Sequence, residues 1–307
     1  MPETRSHVYF VGLLLIGAVV YFSPIVALVK LVFENETYSH ICLIPLVSLF
    51  LLVTERKSIF AAAARTPAAG FSVCAAGLVF YGLAILLRGH LSSQAFRNQD
   101  VPNDYLTLCM AGAVAWVVGS FIAVYGLRAF KKARFALLFL VFTIPIPVFL
   151  LDAVITTLQH ASAEVADIVF RLAGAPYHRS DLVFEFSNVA VRVAEECSGI
   201  RSSLSLFILS IITGHLFLRT ISRRIILALA IFPVTVLKNA FRIVTITLLA
   251  NYVDMRFITD HWIHRSGGIP FFAVAMGMFI PLVWALRRTE KSGTETDEKG
   301  MVVTIVR

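Results

Sequence analysis

Charged residues are scarce in this chain of 307 residues, and the shortage limits the class of protein it can be. Asp, Glu, Lys and Arg make up 15% of the residues and hydrophobic residues make up 58%, whereas an ordinary soluble domain carries about 25% charged residues. The composition therefore excludes a soluble globular enzyme. A helix that crosses a membrane needs about 20 apolar residues, and the chain is long enough for several of them.

Cysteine is also scarce, which argues against two kinds of site. The chain has four cysteines without Cys-x-x-Cys spacing, and three of them lie inside apolar runs: Cys42, Cys74 and Cys109. This pattern indicates neither a disulfide framework nor a zinc site. Cys197 is the exception, because it lies in a polar segment between apolar runs.

Long apolar runs give the chain its predicted architecture. They predict an all-α integral membrane protein with about eight transmembrane helices, near residues 8–30, 40–54, 71–88, 105–126, 135–151, 199–218, 225–250 and 269–286. The net charge is +8, and most Lys and Arg lie in alternate loops, which would face the cytoplasm if the N-terminus does.

These runs predict one membrane domain over residues 1–286, with both chain termini in the cytoplasm. The last residues, 287–307, are rich in Thr, Glu, Lys and Gly and predict a flexible cytoplasmic tail. We interpret the basic residues as determinants of topology and predict no nucleic-acid partner.

The segment 152–198 is neither a clear membrane span nor a short loop. Residues 152–172 mix apolar and charged side chains, which predicts a helix lying at the outer membrane interface. The alternation that follows predicts a small extracytoplasmic β-hairpin around Ser187 and Asn188. Because open strand edges are not tolerated in lipid, the hairpin must stand outside the membrane or pack on protein.

Cys197 lies in a dense polar cluster between the predicted hairpin and the sixth span. Glu195 and Glu196 precede it and Ser198 follows it. A cysteine at the N-terminus of a helix is a candidate nucleophile, because backbone N–H groups and the helix dipole stabilise its thiolate. A structural cysteine at a helix cap is the alternative interpretation.

The seventh predicted span contains Lys238, Asn239 and Arg242. Charged side chains inside a membrane are costly, so they indicate a functional site by default. Arg242 lies about 27 Å along a helix that starts at Arg224, near the outer surface. Snorkelling to the outer headgroups explains Arg242, but it explains Lys238 and Asn239 less well.

Two histidines, His261 and His264, lie in the last outer loop after Asp260. Either histidine could act as a general acid or base, and an interfacial histidine without a catalytic task is the alternative. We predict no metal, because no further ligand pair accompanies them. The predicted topology brings Cys197, Arg242 and His264 to the same outer level, and this composition suits a thiol acyl-transfer site.

In combination these motifs resemble the exosortase and archaeosortase family of integral-membrane cysteine transpeptidases. The resemblance extends from about residue 38 to 270 and rests on five pieces of sequence: Tyr38-Ser39-His40 with Pro45; Ile144-Pro145-Ile146-Pro147; Glu196-Cys197-Ser198-Gly199-Ile200-Arg201; Asn239-Ala240-Phe241-Arg242-Ile243; and His264 followed by Gly267 and Gly268.

The resemblance implies Cys197 as nucleophile, Arg242 as its cationic partner and His264 as the catalytic histidine, with His261 competing for that role. It implies no cofactor. Further candidates for contact with the substrate or support of the catalytic residues are Tyr38, His40, Glu196, Ser198, Arg201, Asn239 and His261.

The implied substrates are membrane-anchored proteins with a C-terminal sorting signal, which consists of a short signature such as Pro-Glu-Pro, a transmembrane helix and a basic cluster. Cleavage would take place on the extracytoplasmic face of the inner membrane, and the new C-terminus would pass to an unidentified acceptor nucleophile.

Two other classes of protein remain open. A transporter or channel could line an anion path with Lys238, Arg242 and Asp260. A non-catalytic assembly protein of an export system is the third interpretation. Only the peptidase gives Cys197 a task, so replacement of that residue separates the peptidase from the other two.

Overall fold

The computed structural model describes residues 2–90, 103–193, 199–259 and 268–300. The chain divides into two compact units, Met1–Asp152 and Ala153–Arg307, within the stretch that the sequence analysis treats as one membrane domain.

The described part of the first unit is made of helices. A 3-10 helix, Glu36–Cys42, precedes α3, and another, Leu140–Thr143, follows α6. The α-helices are α1 (Pro2–Val20), α2 (Phe22–Glu34), α3 (Leu43–Thr54), α4 (Arg56–Ala61), α5 (Pro67–Leu86) and α6 (Asn103–Phe139), and α7 (Val148–Leu172) begins here.

Glycines allow α5 and α6 to pack closely. A Cβ atom added at Gly77 would lie 2.7 Å from the carbonyl oxygen of Gly112, and one added at Gly119 would lie 2.7 Å from that of Gly70. Small residues let helix backbones approach in membranes, where dispersion contacts replace the hydrophobic effect as the driving force. This helix pair therefore depends on residues that have no side chain.

The long helix α6 is interrupted at Gly126. This residue has φ +88° and ψ 168°, a conformation that favours glycine. A Cβ atom here would lie 1.6 Å from the carbonyl oxygen of Ala64. The N–H of Ala64 also donates to the carbonyl oxygen of Tyr125 at 2.9 Å, so the interruption is fixed by the loop before α5.

The proline-rich segment 144–147 separates the end of α6 from α7. The Nδ2 of Asn103 donates to the carbonyl oxygen of Ile146 at 2.6 Å. The N–H of Val148 donates to Oδ1 of Asp104 at 2.8 Å, which caps the first turn of α7. The start of α6 thus satisfies backbone groups of a segment that cannot continue a helix.

The second unit combines helices with a small antiparallel sheet of order β1-β2-β3. In chain order the elements after α7 are β1 (His178–Ser180), β2 (Val183–Glu185), β3 (Ala190–Arg192), α8 (Ile200–Phe217), α9 (Ile221–Tyr252), α10 (Arg256–Thr259) and α11 (Gly268–Gly300).

The sheet packs on helices of the same unit. Phe184 and Phe186 lie in one buried cluster with Phe170 of α7 and with Ala240 and Val244 of α9. Burial of aromatic side chains contributes most of the stability of such a contact. The strands predicted on either side of Ser187 and Asn188 are confirmed, and they pack on protein.

The strand β1 was not predicted from the sequence. A two-residue turn joins β1 to β2, and Ser180 pairs with Val183. Asp181 in this turn has φ +54°, which Asp tolerates better than most residues but which is typical of glycine. The turn therefore lacks the Gly that would have predicted a hairpin.

The number of candidate membrane spans is smaller than the eight predicted. Six described helices are long and apolar enough to cross a membrane, or up to seven if the bent pair Arg5–Val20 and Phe22–Glu34, at 75°, is one span. The predicted spans 105–126 and 135–151 fall largely within one candidate, Asn103–Thr143, because α6 continues where a loop was expected. The all-α membrane class is confirmed.

The helices α8, α9 and α11 share a buried apolar core that includes Leu206, Leu227, Ile231, Ala275 and Phe279. This core fixes α8 against α9, which matters for the site described next.

The helix α11 continues to Gly300, through part of the segment 287–307 for which the sequence predicts a flexible tail. Glu290 accepts hydrogen bonds from the N–H of Arg219 at 3.0 Å and from the N–H and Oγ1 of Thr220 at 2.8 and 2.7 Å. Past residue 287 the chain is therefore still bound to the turn between α8 and α9. Residues 301–307 lie outside the described part.

Candidate active site

The helix α8 begins with a left-handed turn at Gly199. This residue has φ 75° and ψ 15° and is the N-cap of α8. Its carbonyl oxygen accepts the N–H of Ser203 at 3.0 Å. It also accepts the hydroxyls of Ser202 at 3.0 Å and Ser203 at 2.7 Å. Three hydrogen-bond donors in the first turn of α8 thus bind the carbonyl oxygen of Gly199.

Two buried polar residues of α9 lie against this turn. A Cβ atom added at Gly199 would lie 3.1 Å from Nζ of Lys238 and 3.3 Å from Oδ1 of Asn239. Lys238 is 3% exposed and Asn239 is 0% exposed. From Ile221 to Lys238 a helix rises about 26 Å, which matches the length of α8. The two helices therefore bring these residues to the N-terminal end of α8.

Lys238 is bonded to the first turn of α8. Its Nζ donates to Oγ of Ser202 at 2.5 Å, and that hydroxyl donates in turn to the carbonyl oxygen of Gly199. A buried ammonium is costly unless it is hydrogen bonded or paired. The contact satisfies part of that requirement and links α9 to the turn.

Arg242 adds a second cation one helical turn beyond Lys238. Residues four apart lie on the same face of a helix, and Arg242 is half-buried. The N-terminal end of α8 contributes a positive dipole at the same level. Two cations and a helix N-terminus can stabilise an anion such as a thiolate or the oxyanion of an acyl transfer.

The structure brings only some of the predicted site residues together. Asn239 lies against the start of α8, Arg242 follows three residues further along α9, and Arg201 of α8 is exposed. Five predicted residues lie outside the described part of the chain: Glu196, Cys197, Ser198, His261 and His264.

Two predicted residues belong to the first unit, where they lie on the 3-10 helix before α3. Tyr38 is 1% exposed and belongs to a buried apolar cluster with Leu106. Nδ1 of His40 is 3.0 Å from the carbonyl oxygen of Thr37. Both residues have local contacts that account for their positions.

Hydrogen bonds and ionic contacts of α7 residues hold β1 and the preceding Tyr177 against α7. Oδ1 of Asp167 accepts the hydroxyl of Tyr177 at 2.8 Å, and Oδ2 of Asp167 lies 2.8 Å from Arg171. Arg179 of β1 donates to both carboxylate oxygens of Glu164, at 3.2 and 2.6 Å. This hydrogen bonding lowers the pKa of Glu164, whereas burial and a hydrogen bond with Asp167 raise the pKa of Tyr177.

In the part of the chain that the structure describes, no group of three or more His, Cys, Asp and Glu residues could hold a metal ion. Because His261 and His264 lie outside that part, the absence of a metal site at this loop stays a prediction.

Sequence reasoning missed the role of Ser202. Ser202 and Lys238 are 36 residues apart, and no pattern within either helix indicates that they meet. The available signal was the pair of adjacent serines at the start of an apolar helix, because Ser often bonds backbone groups in a first helical turn.

Taken together, these features define a multi-pass α-helical membrane protein with a cationic polar site where one helix begins against another. The family model described as transmembrane exosortase matches residues 30–281, and the chain belongs to this family. The matched range includes Gly199, Lys238 and Arg242, and also Cys197 and His264. Comparison with curated proteins and with solved structures gives no match.

Proposed function

We propose that this exosortase is a membrane-embedded cysteine peptidase and transpeptidase with Cys197 as its nucleophile. The observation that carries the proposal is the cationic site at the start of α8, where Gly199 meets Lys238 and Asn239. Cys197 precedes Gly199 by two residues in the sequence. An electropositive helix N-terminus is the environment in which cysteine thiolates are activated.

In the first step the Cys197 thiolate attacks the carbonyl carbon of the scissile peptide bond. A C–S bond forms, and the carbonyl oxygen becomes an oxyanion. When this intermediate collapses, the C–N bond breaks, His264 gives a proton to the leaving amine, and a thioester remains. Arg242 stabilises either the thiolate or the oxyanion.

In the second step an acceptor nucleophile attacks the thioester. His264, now neutral, takes the proton of the acceptor as the new bond forms. The C–S bond then breaks and regenerates the Cys197 thiolate. An amine acceptor gives transpeptidation, a hydroxyl acceptor gives an ester, and water gives hydrolysis.

The proposed substrates are membrane-anchored proteins whose C-terminal tail carries a signature, a transmembrane helix and a basic cluster. Such a helix would diffuse in the bilayer and present the scissile segment at the extracytoplasmic face of the inner membrane. Confinement to the same membrane raises the effective concentration of substrate without a large soluble binding surface.

The residues proposed to contact the substrate or support the reaction are Tyr38, His40, Glu196, Ser198, Arg201, Asn239 and His261. Of these, Asn239 has the strongest structural support, because its side chain is fully buried against Gly199.

The test is co-expression with a protein that carries such a tail, followed by intact-mass measurement of the substrate. We expect the wild type to remove the tail and Cys197→Ala to leave it in place. Cys74→Ala is the control, since Cys74 lies on α5, outside the five pieces of sequence that carry the resemblance, and it should still cleave. Cleavage by Cys197→Ala would overturn the mechanism.

The same assay assigns the base. We expect His264→Ala to abolish cleavage and His261→Ala to retain it. The reverse result would move the acid-base role to His261.

A further inference from the structure

We propose that Lys238 is a positioning residue of the reaction, acting through Ser202 on the turn that precedes α8. This inference rests on the proposed function. It assigns a role to a buried charge that the mechanism above does not use.

A chain of hydrogen bonds joins Lys238 to the turn at Gly199. Nζ of Lys238 donates to Oγ of Ser202, and Oγ of Ser202 donates to the carbonyl oxygen of Gly199 at 3.0 Å. Nζ also lies 3.1 Å from the position that a Cβ atom of Gly199 would occupy. The ammonium group of Lys238 thus lies next to Gly199 and also binds the turn through the hydroxyl of Ser202.

The buried charge of Lys238 is energetically costly. Lys238 is 3% exposed and lies within the candidate span Ile221–Tyr252, where a charged side chain is expensive. An unbranched apolar side chain would fill the same space without this cost. Packing alone therefore does not account for a lysine, whereas a need to fix the position of a neighbouring group does.

The turn at Gly199 affects the path of the chain that precedes α8. Gly199 has a left-handed conformation, and the direction in which the preceding chain leaves α8 depends on its backbone angles. That preceding chain carries Cys197 two residues away. In catalysis a displacement of about 1 Å can lower the rate about 100-fold. A positioning contact here should therefore affect turnover more than binding.

The experiment compares an isosteric pair at Ser202, assayed for kcat and KM with the tailed substrate. Ser202→Thr keeps the hydroxyl that Lys238 binds, whereas Ser202→Val has the same shape without it. We expect Ser202→Val to lower kcat by about 10- to 100-fold relative to Ser202→Thr, with KM changed less than about twofold. Equal kcat values for the two variants would overturn the proposal.

A double-mutant cycle provides the second measurement. Lys238→Met and Ser202→Ala should each lower kcat, and the double variant should be no slower than the slower single variant, because both changes break the same contact. Ser205→Ala is the control: Ser205 also lies on α8 but bonds the carbonyl oxygen of Arg201, and its effect should multiply with that of Lys238→Met. Multiplying effects for Lys238→Met and Ser202→Ala would contradict the proposal.

Cys197→Ala separates failure of this inference from failure of the proposed function. If cleavage continues in Cys197→Ala, the cysteine mechanism is wrong whatever Lys238 does. If cleavage requires Cys197 but Lys238→Met retains wild-type kcat, only the positioning role is wrong. The folded fraction of each variant is measured in parallel by size-exclusion chromatography, and kcat is expressed per folded molecule.

Discussion

At the residue scale, Gly199 meets two requirements at once. Its φ of +75° favours glycine, and its Cα faces Nζ of Lys238 and Oδ1 of Asn239. A left-handed conformation costs a residue with a Cβ about 1 kcal/mol, and the close approach adds a steric penalty. The site therefore depends on the absence of a Cβ atom at position 199.

We predict that Gly199→Ala lowers cleavage at least about 10-fold, because the added methyl group displaces Lys238 or the turn itself. Gly174→Ala is the matched control: Gly174 has φ +65°, and nothing lies within 4 Å of an added Cβ atom. It should share the backbone penalty, about 1 kcal/mol in the free energy of unfolding, and keep its cleavage rate. Measuring both quantities in both variants checks the prediction, and equal loss of cleavage would refute it.

At the element scale, the pair α5 and α6 shows how closely two helices approach where glycines meet. Gly77 faces the carbonyl oxygen of Gly112, and Gly119 faces that of Gly70. Backbone atoms cannot move aside as a flexible side chain would. Any added volume must therefore separate the helices.

We predict that Gly77→Ala destabilises the first unit by about 1–3 kcal/mol, the usual penalty of overpacking. Gly82→Ala, on the same helix but with nothing within 4 Å of the added Cβ atom, should have no such penalty. Thermal unfolding of the detergent-solubilised variants gives the comparison. A Gly82→Ala variant as unstable as Gly77→Ala would mean that helix propensity or expression, rather than packing, decides the outcome.

The elements also show which parts of the fold could be predicted from sequence. Apolar length predicted the membrane helices, because hydrophobic thickness sets a minimum run. It did not predict the bend at Tyr21 or the interruption at Gly126, since both arise where helices meet neighbours within the first unit. The strand β1 has three residues, too few for an alternating pattern to be recognised.

The candidate site also has features that could be predicted from sequence and features that could not. Helix length alone predicted that Arg242 lies near the outer surface, because the distance along a helix follows from a constant rise per residue. The contact between Lys238 and Ser202 depends on tertiary packing and could not be predicted. The catalytic roles of Cys197 and His264 stay predictions.

At the scale of the whole molecule, the number of crossings decides the orientation of the termini. Both termini face the cytoplasm only if that number is even. The candidate Asn103–Thr143 has 41 residues, about 60 Å of helix against a hydrocarbon thickness of about 30 Å. The interruption at Gly126 divides this candidate, and its length is about twice the hydrocarbon thickness.

We predict that residues near Lys131 face the cytoplasm and that the sheet faces outside, because basic loops stay inside. Single cysteines are introduced at the exposed positions Lys131 and His178 in a chain whose four native cysteines are replaced, and they are labelled with a membrane-impermeant maleimide. His178→Cys should react in intact cells, and Lys131→Cys only after permeabilisation. Reaction of both in intact cells would rule out the predicted orientation.

The bond between Glu290 and the turn between α8 and α9 has a consequence for biosynthesis. Glu290 follows Thr220 by 70 residues, and ribosomes add about 5–20 residues per second. For about 4–14 s the nascent chain therefore contains Arg219 and Thr220 but not the Glu290 carboxylate to which they donate. The contact that joins α11 to the turn between α8 and α9 can form only after residue 290 has been synthesised, so a chain that stops before residue 290 leaves the insertion machinery without it.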